Sequence, residues 1–400
     1  MLTSKSLREL KKWVLRSFTD KKDEKKLVFL AVVLMFFVGM EMGGFQLILS
    51  DVSAEFNTTK TGMGLLVAAQ YVSVIAMPLI FGTISDRMGK KPVLTSFVGV
   101  FALGCLIAAL SNSALVFVAG VFFIGAGYSV CESVSAALIS DLYPDSSTRY
   151  INICQCALSV GAVLSPVTIH LIIQQFDMTW RVLFVICAAA YFILLFPLIK
   201  FKFSGMNTKQ VPTSNTDFRN YFRSTVFITL FAAIILYVGL ENGFGYFAKT
   251  LFDLKLDASD YGSWAISAYW MGMAISRMAA GLRKQSPKKV LIVSFALSGV
   301  IFTILALSQS ALISLAACAL TGMAFGPIWS TLVDLAAKAF PDSSGGAIGL
   351  MSSGCGVGGV LYPILMGIMA DFFDIGIAFL LLAATALAGG ILCVSLSKHR

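Results

Sequence analysis

Twelve apolar segments follow one another along the chain, and they limit its possible folds more than any other feature. They cover approximately 27–50, 61–84, 93–111, 114–140, 150–174, 181–200, 223–248, 259–282, 290–308, 311–335, 345–370 and 375–396. An apolar run of about 20 residues is long enough to cross the hydrocarbon core of a bilayer as a helix. Because backbone polar groups must be satisfied internally in lipid, such runs form helices. The sequence therefore predicts an all-α membrane protein with twelve transmembrane helices.

Composition excludes most other classes of protein. Of the 400 residues, 58% are hydrophobic and 13% are charged, whereas soluble domains are about 25% charged. The net charge of +9 therefore does not indicate a nucleic-acid partner. The eight cysteines lie in apolar runs, the histidines are His170 and His399, and no Walker A loop is present. We expect a protein that is not an enzyme and that binds neither a metal nor a cofactor.

Lysine and arginine residues are unequally distributed between the two sides of the predicted bundle. Arg277 lies within a helix, and the side of the loops that follow odd-numbered segments carries only Lys60, Arg181, Lys249 and Lys255. The other Lys and Arg residues lie in the even-numbered loops and the termini. Cytoplasmic loops are enriched in these residues. The pattern predicts a multi-pass protein with both termini in the cytoplasm, and the short loops favour a bacterial inner membrane.

A polar loop divides the chain into two halves. Residues 1–26 form a basic cytoplasmic arm that lies on an anionic membrane surface or is simply solvated. Residues 27–200 and 223–396 form six-helix bundles, 201–222 the cytoplasmic linker between them, and 397–400 a cytoplasmic tail. This division predicts two bundles of equal helix number.

The two bundles also resemble each other in sequence. VGMEMG at 38–43 returns as VGLENG at 238–243, YPDSS at 143–147 as FPDSS at 340–344, and GAVLSP at 161–166 as GGVLYP at 358–363. Three matches in chain order indicate a tandem duplication with pseudo-symmetric halves. Transporters built from repeats bind substrate between them.

The loop after the second segment carries a recognisable motif, GTISDRMGKKP at 82–92. It resembles the signature loop of the major facilitator superfamily, and this resemblance implies the major facilitator fold over the whole chain. It also implies a cytoplasmic gate formed by Gly82, Asp86, Arg87, Gly89 and Lys90. The glycines permit tight turning, and Asp86 would face the N-terminal end of the eleventh helix.

The equivalent loop of the second half keeps the glycine and the basic residues but has no aspartate. Arg277, one turn earlier, is predicted to take over part of the gate contact by bonding to helix ends or to an acid such as Asp334. A structural role of this kind is favoured over substrate binding.

Three acids lie at membrane depth: Glu41, Glu132 and Glu241. Charged groups in this position cost about 2.5–3.5 kcal/mol on insertion scales, so they are functional candidates. An apolar environment disfavours the ionised form of a carboxyl group. Glu41 and Glu132 are therefore predicted to bind and release the coupling proton.

The duplication places Glu132 opposite Trp329, so that one half offers an acid where the other offers an aromatic face. Acids hydrogen-bond to hydroxyl groups, and aromatic rings stack on the apolar faces of sugars. Each of the other polar or aromatic candidates could instead make an interhelical contact. The predicted substrate-binding residues are Glu41, Gln46, Gln70, Glu132, Asn152, Gln155, Glu241, Asn242, Tyr246, Tyr269, Trp270 and Trp329.

Within the superfamily, the chain is most similar to fucose-permease-type proton/sugar symporters. The resemblance rests on Glu41, on GAGYSVCES at 125–133, on YVGLE at 237–241, and on AYWMGM at 268–273 followed by Arg277. It implies that Glu41 and Glu132 form the pair that binds the proton and contacts the sugar.

The favoured function is proton-coupled symport of a small neutral polar solute, such as a monosaccharide, by alternating access. The expected partners are this solute, protons and the lipid bilayer, and the protein is expected to act as a monomer. Proton-antiport export of drugs or amphiphilic cations is the alternative. GAVLSP at 161–166 lacks the glycine that usually precedes the proline in such exporters, which argues against export. A transport-inactive scaffold is a third reading, which the membrane acids disfavour.

Overall fold

A computed structural model describes the backbone of residues 4–142, 147–200, 218–282, 286–340 and 344–397. Side chains are described for most of these residues, the exceptions being 4–25, 82–83, 86–87, 140–142, 147–149, 152, 218–220, 278–282, 337, 344–346 and 397. Within these ranges the protein is all-helical, with twelve α-helices and no strand. Eleven of the helices are long and apolar enough to cross a membrane, which confirms the predicted fold class.

The helices agree with the predicted segments and extend most of them by a few residues. They are α1 (Ser4–Glu55), α2 (Lys60–Met88), α3 (Lys90–Ala109), α4 (Ala114–Leu142), α5 (Ser147–Phe176), α6 (Arg181–Lys200), α7 (Thr225–Leu254), α8 (Tyr261–Leu282), α9 (Pro287–Leu307), α10 (Ala311–Ala339), α11 (Ser344–Phe372) and α12 (Ile375–Val394). Short 3-10 helices cover Phe218–Arg223 and Ser395–Ser397. Because α1 begins at Ser4, the helix continues through the basic arm.

Side-chain caps fix where several helices begin. Thr59 accepts a hydrogen bond from Gly62 N at the start of α2, and Ser224 and Ser310 make equivalent bonds at α7 and α10. Asp374 caps α12 through the amides of Gly376 and Ile377. These caps satisfy amide groups that have no partner within the helix.

Corresponding helices pack together in the same way within each half. In the first half α1 packs on α5, α2 on α4, and α3 on α4 and α6; in the second α7 packs on α11, α8 on α10, and α9 on α10 and α12. A Cβ atom on Gly161 of α5 would lie 2.0 Å from Phe36 O of α1, and one on Gly358 of α11 would lie 2.3 Å from Ile235 O of α7. The duplication seen in the sequence thus gives the same close helix contact twice.

The halves meet along α2 with α11, α5 with α8, and α1 with α7. Consecutive helices run in opposite directions, so the loops that follow odd-numbered helices lie at one end of the molecule, here called the odd-loop end. The other end is called the even-loop end. The unequal distribution of Lys and Arg residues between the two sets of loops predicts that the odd-loop end faces the outside.

Candidate functional site

Three hydrogen bonds between buried side chains cross the boundary between the halves. They join Tyr71 Oη to Asn242 Oδ1 at 2.6 Å, Tyr246 Oη to Gln70 Oε1 at 3.3 Å, and Trp270 Nε1 to Gln46 Oε1 at 2.9 Å. All six side chains are at most 4% exposed. We call these six residues the buried layer. Five were predicted to bind substrate, but their polar groups are occupied by each other in this conformation.

Glu41 adjoins the buried layer from α1 and is itself fully buried. Its two carboxylate oxygens accept hydrogen bonds of 3.2 and 3.1 Å from the Nε2 atom of Gln70. Among the described residues, the side-chain hydrogen bonds of this acid stay within the first half, and Gln70 connects it to Tyr246 of the second half.

A separate group of polar side chains lies where α4, α5, α7 and α8 face one another. Gln155 Nε2 donates a 2.7 Å hydrogen bond to Glu132, and Arg277 donates one of 3.2 Å to Ser159 Oγ. Arg277 is close enough for its charge to act on both Glu132 and Glu241. We call Glu132, Gln155, Glu241 and Arg277 the charged cluster; all four are only partly buried. Unlike the buried layer, the cluster retains exposed polar surface.

The cluster changes the interpretation of Arg277, which the sequence placed in the gate. Its hydrogen bond to Ser159 crosses from α8 to α5, and its charge acts on Glu132 and Glu241. Asp334, the partner suggested from the sequence, instead pairs with Lys338 at 2.5 Å. Arg277 is thus positioned to balance one of the two acids.

Aromatic residues adjoin the charged cluster. Trp329 of α10 is partly buried and lies beside Cys355 of α11. The charges of Glu132 and Glu241 act on Cys355 as well. Tyr269 is fully buried, and its hydroxyl has no hydrogen-bond partner among the described residues. The remaining predicted residue, Asn152, has a side chain outside the described part of the chain.

Two residues that form hydrogen bonds between the halves, Tyr71 and Ser159, were not predicted as site residues from the sequence. Tyr71 follows Gln70 directly in α2, but an apolar helix gives no sign of which neighbouring side chain faces the partner helix. Ser159 is one of many serines in the membrane segments. Only the hydrogen bond from Arg277 in the folded structure distinguishes Ser159 from these other serines.

The odd-loop end is closed by direct contact between the halves. The amides of Lys60 and Thr61 donate to the carboxylate of Asp371, and Lys249 donates to Ser50 at 2.7 Å and to Asp51 at 2.8 Å. Backbones also approach closely: a Cβ atom on Gly64 would lie 2.2 Å from Pro363 O, and one on Gly367 would lie 2.2 Å from Lys60 O.

Comparison with known proteins gives the family. The family model described as the Major Facilitator Superfamily matches residues 31–281 and 244–400. The chain belongs to this superfamily. Its fold matches that of a mutant of the nucleoside transporter NupG with a TM-score of 0.78, over 93% of this chain and 100% of that one, at 15% sequence identity.

Curated relatives include multidrug resistance protein MdtL from strains of Escherichia coli. That of strain E2348/69 is 25% identical over 213 residues, which are 52% of this chain and 54% of the relative, and that of strain ED1a is 24% identical over the same length. The chain thus matches about half the length of these relatives. Major Facilitator Superfamily proteins are membrane transporters, which supports the prediction of a transporter at this general level. The narrower resemblance to fucose-permease-type symporters stays a prediction.

The signature loop of the superfamily lies between α2 and α3. Gly89 ends α2 and precedes α3 with φ 96°, a conformation that favours glycine, and its amide bonds to Ser85 O. Lys90 Nζ donates to Ala137 O of α4 at 3.4 Å. The side chains of Asp86 and Arg87, and the surroundings of Gly82, lie outside the described residues, so the predicted contact of Asp86 with α11 stays a prediction.

Proposed function

We propose that this superfamily member is a proton-coupled transporter that exchanges protons for small organic cations or amphiphiles. The observation that carries the proposal is the charged cluster, in which Gln155 bonds to Glu132 and the charge of one arginine acts on two acids from opposite halves of the chain. A site formed by both halves is one that alternating access exposes to each side of the membrane in turn.

The charge balance of the cluster determines what it accepts. With both acids ionised, Glu132, Glu241 and Arg277 sum to one negative charge, which is costly in a membrane interior. One positive charge removes this cost, and either a proton on an acid or an organic cation supplies it. Because the two compete for the same negative charge, binding of one displaces the other. This competition is the basis of antiport.

The relatives support exchange over the symport favoured by the sequence alone. The curated relatives carry the name multidrug resistance protein, and the 15% identity to the nucleoside transporter bears on fold alone. With the odd-loop end outside and the termini in the cytoplasm, a proton gradient directed inward would drive the cation outward. In this orientation the closed odd-loop end blocks access to the site from the outside.

Symport of a monosaccharide is the second candidate, and one observation favours it. Gln155 and Trp329 are partly exposed, and an amide with an aromatic face suits a neutral sugar. In that case a proton on Glu132 would supply the missing positive charge.

The test is the internal pH of sealed proteoliposomes without a pre-set gradient. Lipophilic cations added outside should enter and expel protons, which makes the interior alkaline. Monosaccharides should produce no response; an acid interior on sugar addition would instead establish symport. The Glu132→Gln variant leaves Glu241 and Arg277 at zero net charge, so it should lose both the pH response and the uptake of labelled cation. The control is Asp334→Asn, an exposed acid paired with Lys338, which should behave as wild type. A full pH response in Glu132→Gln would remove Glu132 from the mechanism.

A further inference from the structure

Among the described residues, Glu41 differs from the other membrane acids in having no cation that acts on it. Arg277 acts on Glu132 and Glu241, whereas the only side-chain hydrogen bond to Glu41 among the described residues comes from Gln70. The groups whose ionisation Glu41 influences belong to five helices and are neutral in their usual form. They are Tyr71 of α2, Cys105 of α3, Tyr128 of α4, Cys187 and Tyr191 of α6, and Tyr246 of α7.

An uncompensated carboxylate is strongly disfavoured in a buried position. The closed odd-loop end, in which Glu41 is fully buried, therefore suits the protonated acid. Opening this end to water would instead solvate the ionised acid. The proton on Glu41 and the closure of the odd-loop end are thus linked, and the remaining question is which side chain transmits the change between the halves.

In the part of the chain that the structure describes, Gln70 is the one side chain that bonds both to Glu41 and to the second half. Its Nε2 atom donates to both oxygens of Glu41, and its Oε1 atom accepts from Tyr246 of α7. An ionised carboxylate only accepts hydrogen bonds, so it fixes the amide with Nε2 towards Glu41. This is the orientation in the structure, so the closed odd-loop end also forms with the amide in this orientation, and protonation of Glu41 acts by raising the closed fraction.

Protonation of Glu41 changes which orientation is favoured. The new O–H group needs an acceptor, which the amide provides if it turns so that Oε1 faces Glu41. Nε2 then donates to the hydroxyl of Tyr246, whose own hydrogen is released. The hydroxyl of Tyr71 lies beside it and already donates to Asn242, so it can accept this hydrogen. The result is one more hydrogen bond between the halves than in the ionised state.

We propose that Gln70 is a positioning residue that reverses its amide when Glu41 binds a proton and thereby strengthens the contact of α2 with α7 that closes the odd-loop end. The inference rests on the proton coupling of the proposed function and assigns the conformational part of it to Glu41, leaving the charge competition at Glu132. Acid conditions then favour the closed odd-loop end, and alkaline conditions favour its opening.

The experiment measures the conformation directly and needs no substrate. Spin labels on Ala54 of α1 and Ser259, between α7 and α8, both exposed, report the distance between the halves at the odd-loop end. Cys156 and Cys355, the cysteines that are not buried, are first replaced by serine. Distances are recorded over a range of pH in lipid nanodiscs for the wild type, Gln70→Leu, Tyr246→Phe, Glu41→Gln and Trp270→Phe.

The wild type should shift from the short to the long distance as the pH rises. Gln70→Leu and Tyr246→Phe should lose this shift, as Glu41→Gln does, while labelled cation still binds to the charged cluster. Trp270→Phe removes a bond between the halves that involves neither Gln70 nor Tyr246, so it should lower the closed fraction at every pH and keep most of the shift. A merely structural role for Gln70 would give the same pattern as Trp270→Phe.

A full pH shift in both Gln70→Leu and Tyr246→Phe would overturn the relay and leave proton coupling in place. A wild type without any pH shift would also overturn it. Failure of the proposed function is recognised separately, because it appears as the absence of proton movement in the proteoliposome experiment, whatever the distances show.

Discussion

Asp371, in the last turn of α11, caps the first turn of α2 across the boundary between the halves. Its two carboxylate oxygens accept hydrogen bonds from Lys60 N at 2.8 Å and Thr61 N at 2.7 Å. Amides at a helix N-terminus have no partner within the helix and carry partial positive charge, so a carboxylate is favourable there. The cap exists only while the odd-loop end is closed, and it therefore acts as a latch.

The Asp371→Asn variant should weaken this latch without unfolding either half. It removes the charge and one of the two acceptors, and loss of a cap costs about 1 kcal/mol. That corresponds to roughly a fivefold rise in the ratio of open to closed molecules. The spin-label distance at the odd-loop end measures the ratio. Asp374→Asn is the matched control, because Asp374 caps α12 within its own half and should leave the ratio unchanged. An equal effect of the two variants would mean that Asp371 is no latch.

The ion pair of Lys249 with Asp51 closes the same end and should contribute less. The side chain of Asp51 is 49% exposed, and exposed ion pairs contribute about 0–1 kcal/mol and weaken in salt. We expect Lys249→Met to open fewer molecules than Asp371→Asn. The wild type should also open slightly on addition of salt, and this response should disappear in Lys249→Met. Salt titration of the label distance provides the measurement, and an unchanged salt response in the variant would show that other charges are responsible.

Gly64 permits close approach of α2 to α11, and its substitution should prevent closure. A Cβ atom on Gly64 would lie 2.2 Å from Pro363 O, well inside contact distance, and backbone on the other half must move away. Gly64→Ala should therefore be folded but open at the odd-loop end at every pH. The control is Gly99→Ala, since a Cβ atom there meets nothing within 4 Å. The label distance together with the melting temperature distinguishes opening from unfolding, and a closed, stable Gly64→Ala protein would contradict the prediction.

Helix number and the acids within long apolar helices were predictable from the sequence because both can be read from the order of residues alone. The number and length of the apolar segments determine how many helices can cross the membrane. The few charged residues within these segments are recognised by their apolar neighbours. The repeat of Gly161 as Gly358 even anticipates a packing contact. None of these features depends on knowing which helices face one another.

The partners of the acids were not predictable in this way. The resemblance joins Glu41 and Glu132 as a pair, but the structure places Glu41 with Gln70 and Glu132 with Gln155 and Arg277. A helix that is apolar all round has no polar stripe to show which way each side chain faces. Contacts such as Asp371 with Thr61 join residues that are 310 positions apart, so only the packing of the halves brings them together.

The charge balance of the charged cluster leads to the last prediction. Arg277→Gln leaves Glu132 and Glu241 without a cation, and an unpaired buried charge is more damaging than a missing pair. This variant should therefore lose most of its exchange activity. The double variant Arg277→Gln with Glu241→Gln restores the net charge of the cluster to one negative unit, so it should recover a substantial part of the lost rate.

Initial rates of cation-driven proton movement in proteoliposomes, at one pH and with equal amounts of inserted protein, would measure the recovery. Arg277→Gln with Asp334→Asn is the control, because Asp334 pairs with Lys338 outside the cluster and its removal cannot restore the balance. If the double variant with Glu241 were no faster than Arg277→Gln alone, Arg277 would not be the counter-charge of Glu241. Its hydrogen bond to Ser159 would then account for its position, as a contact that holds α8 against α5.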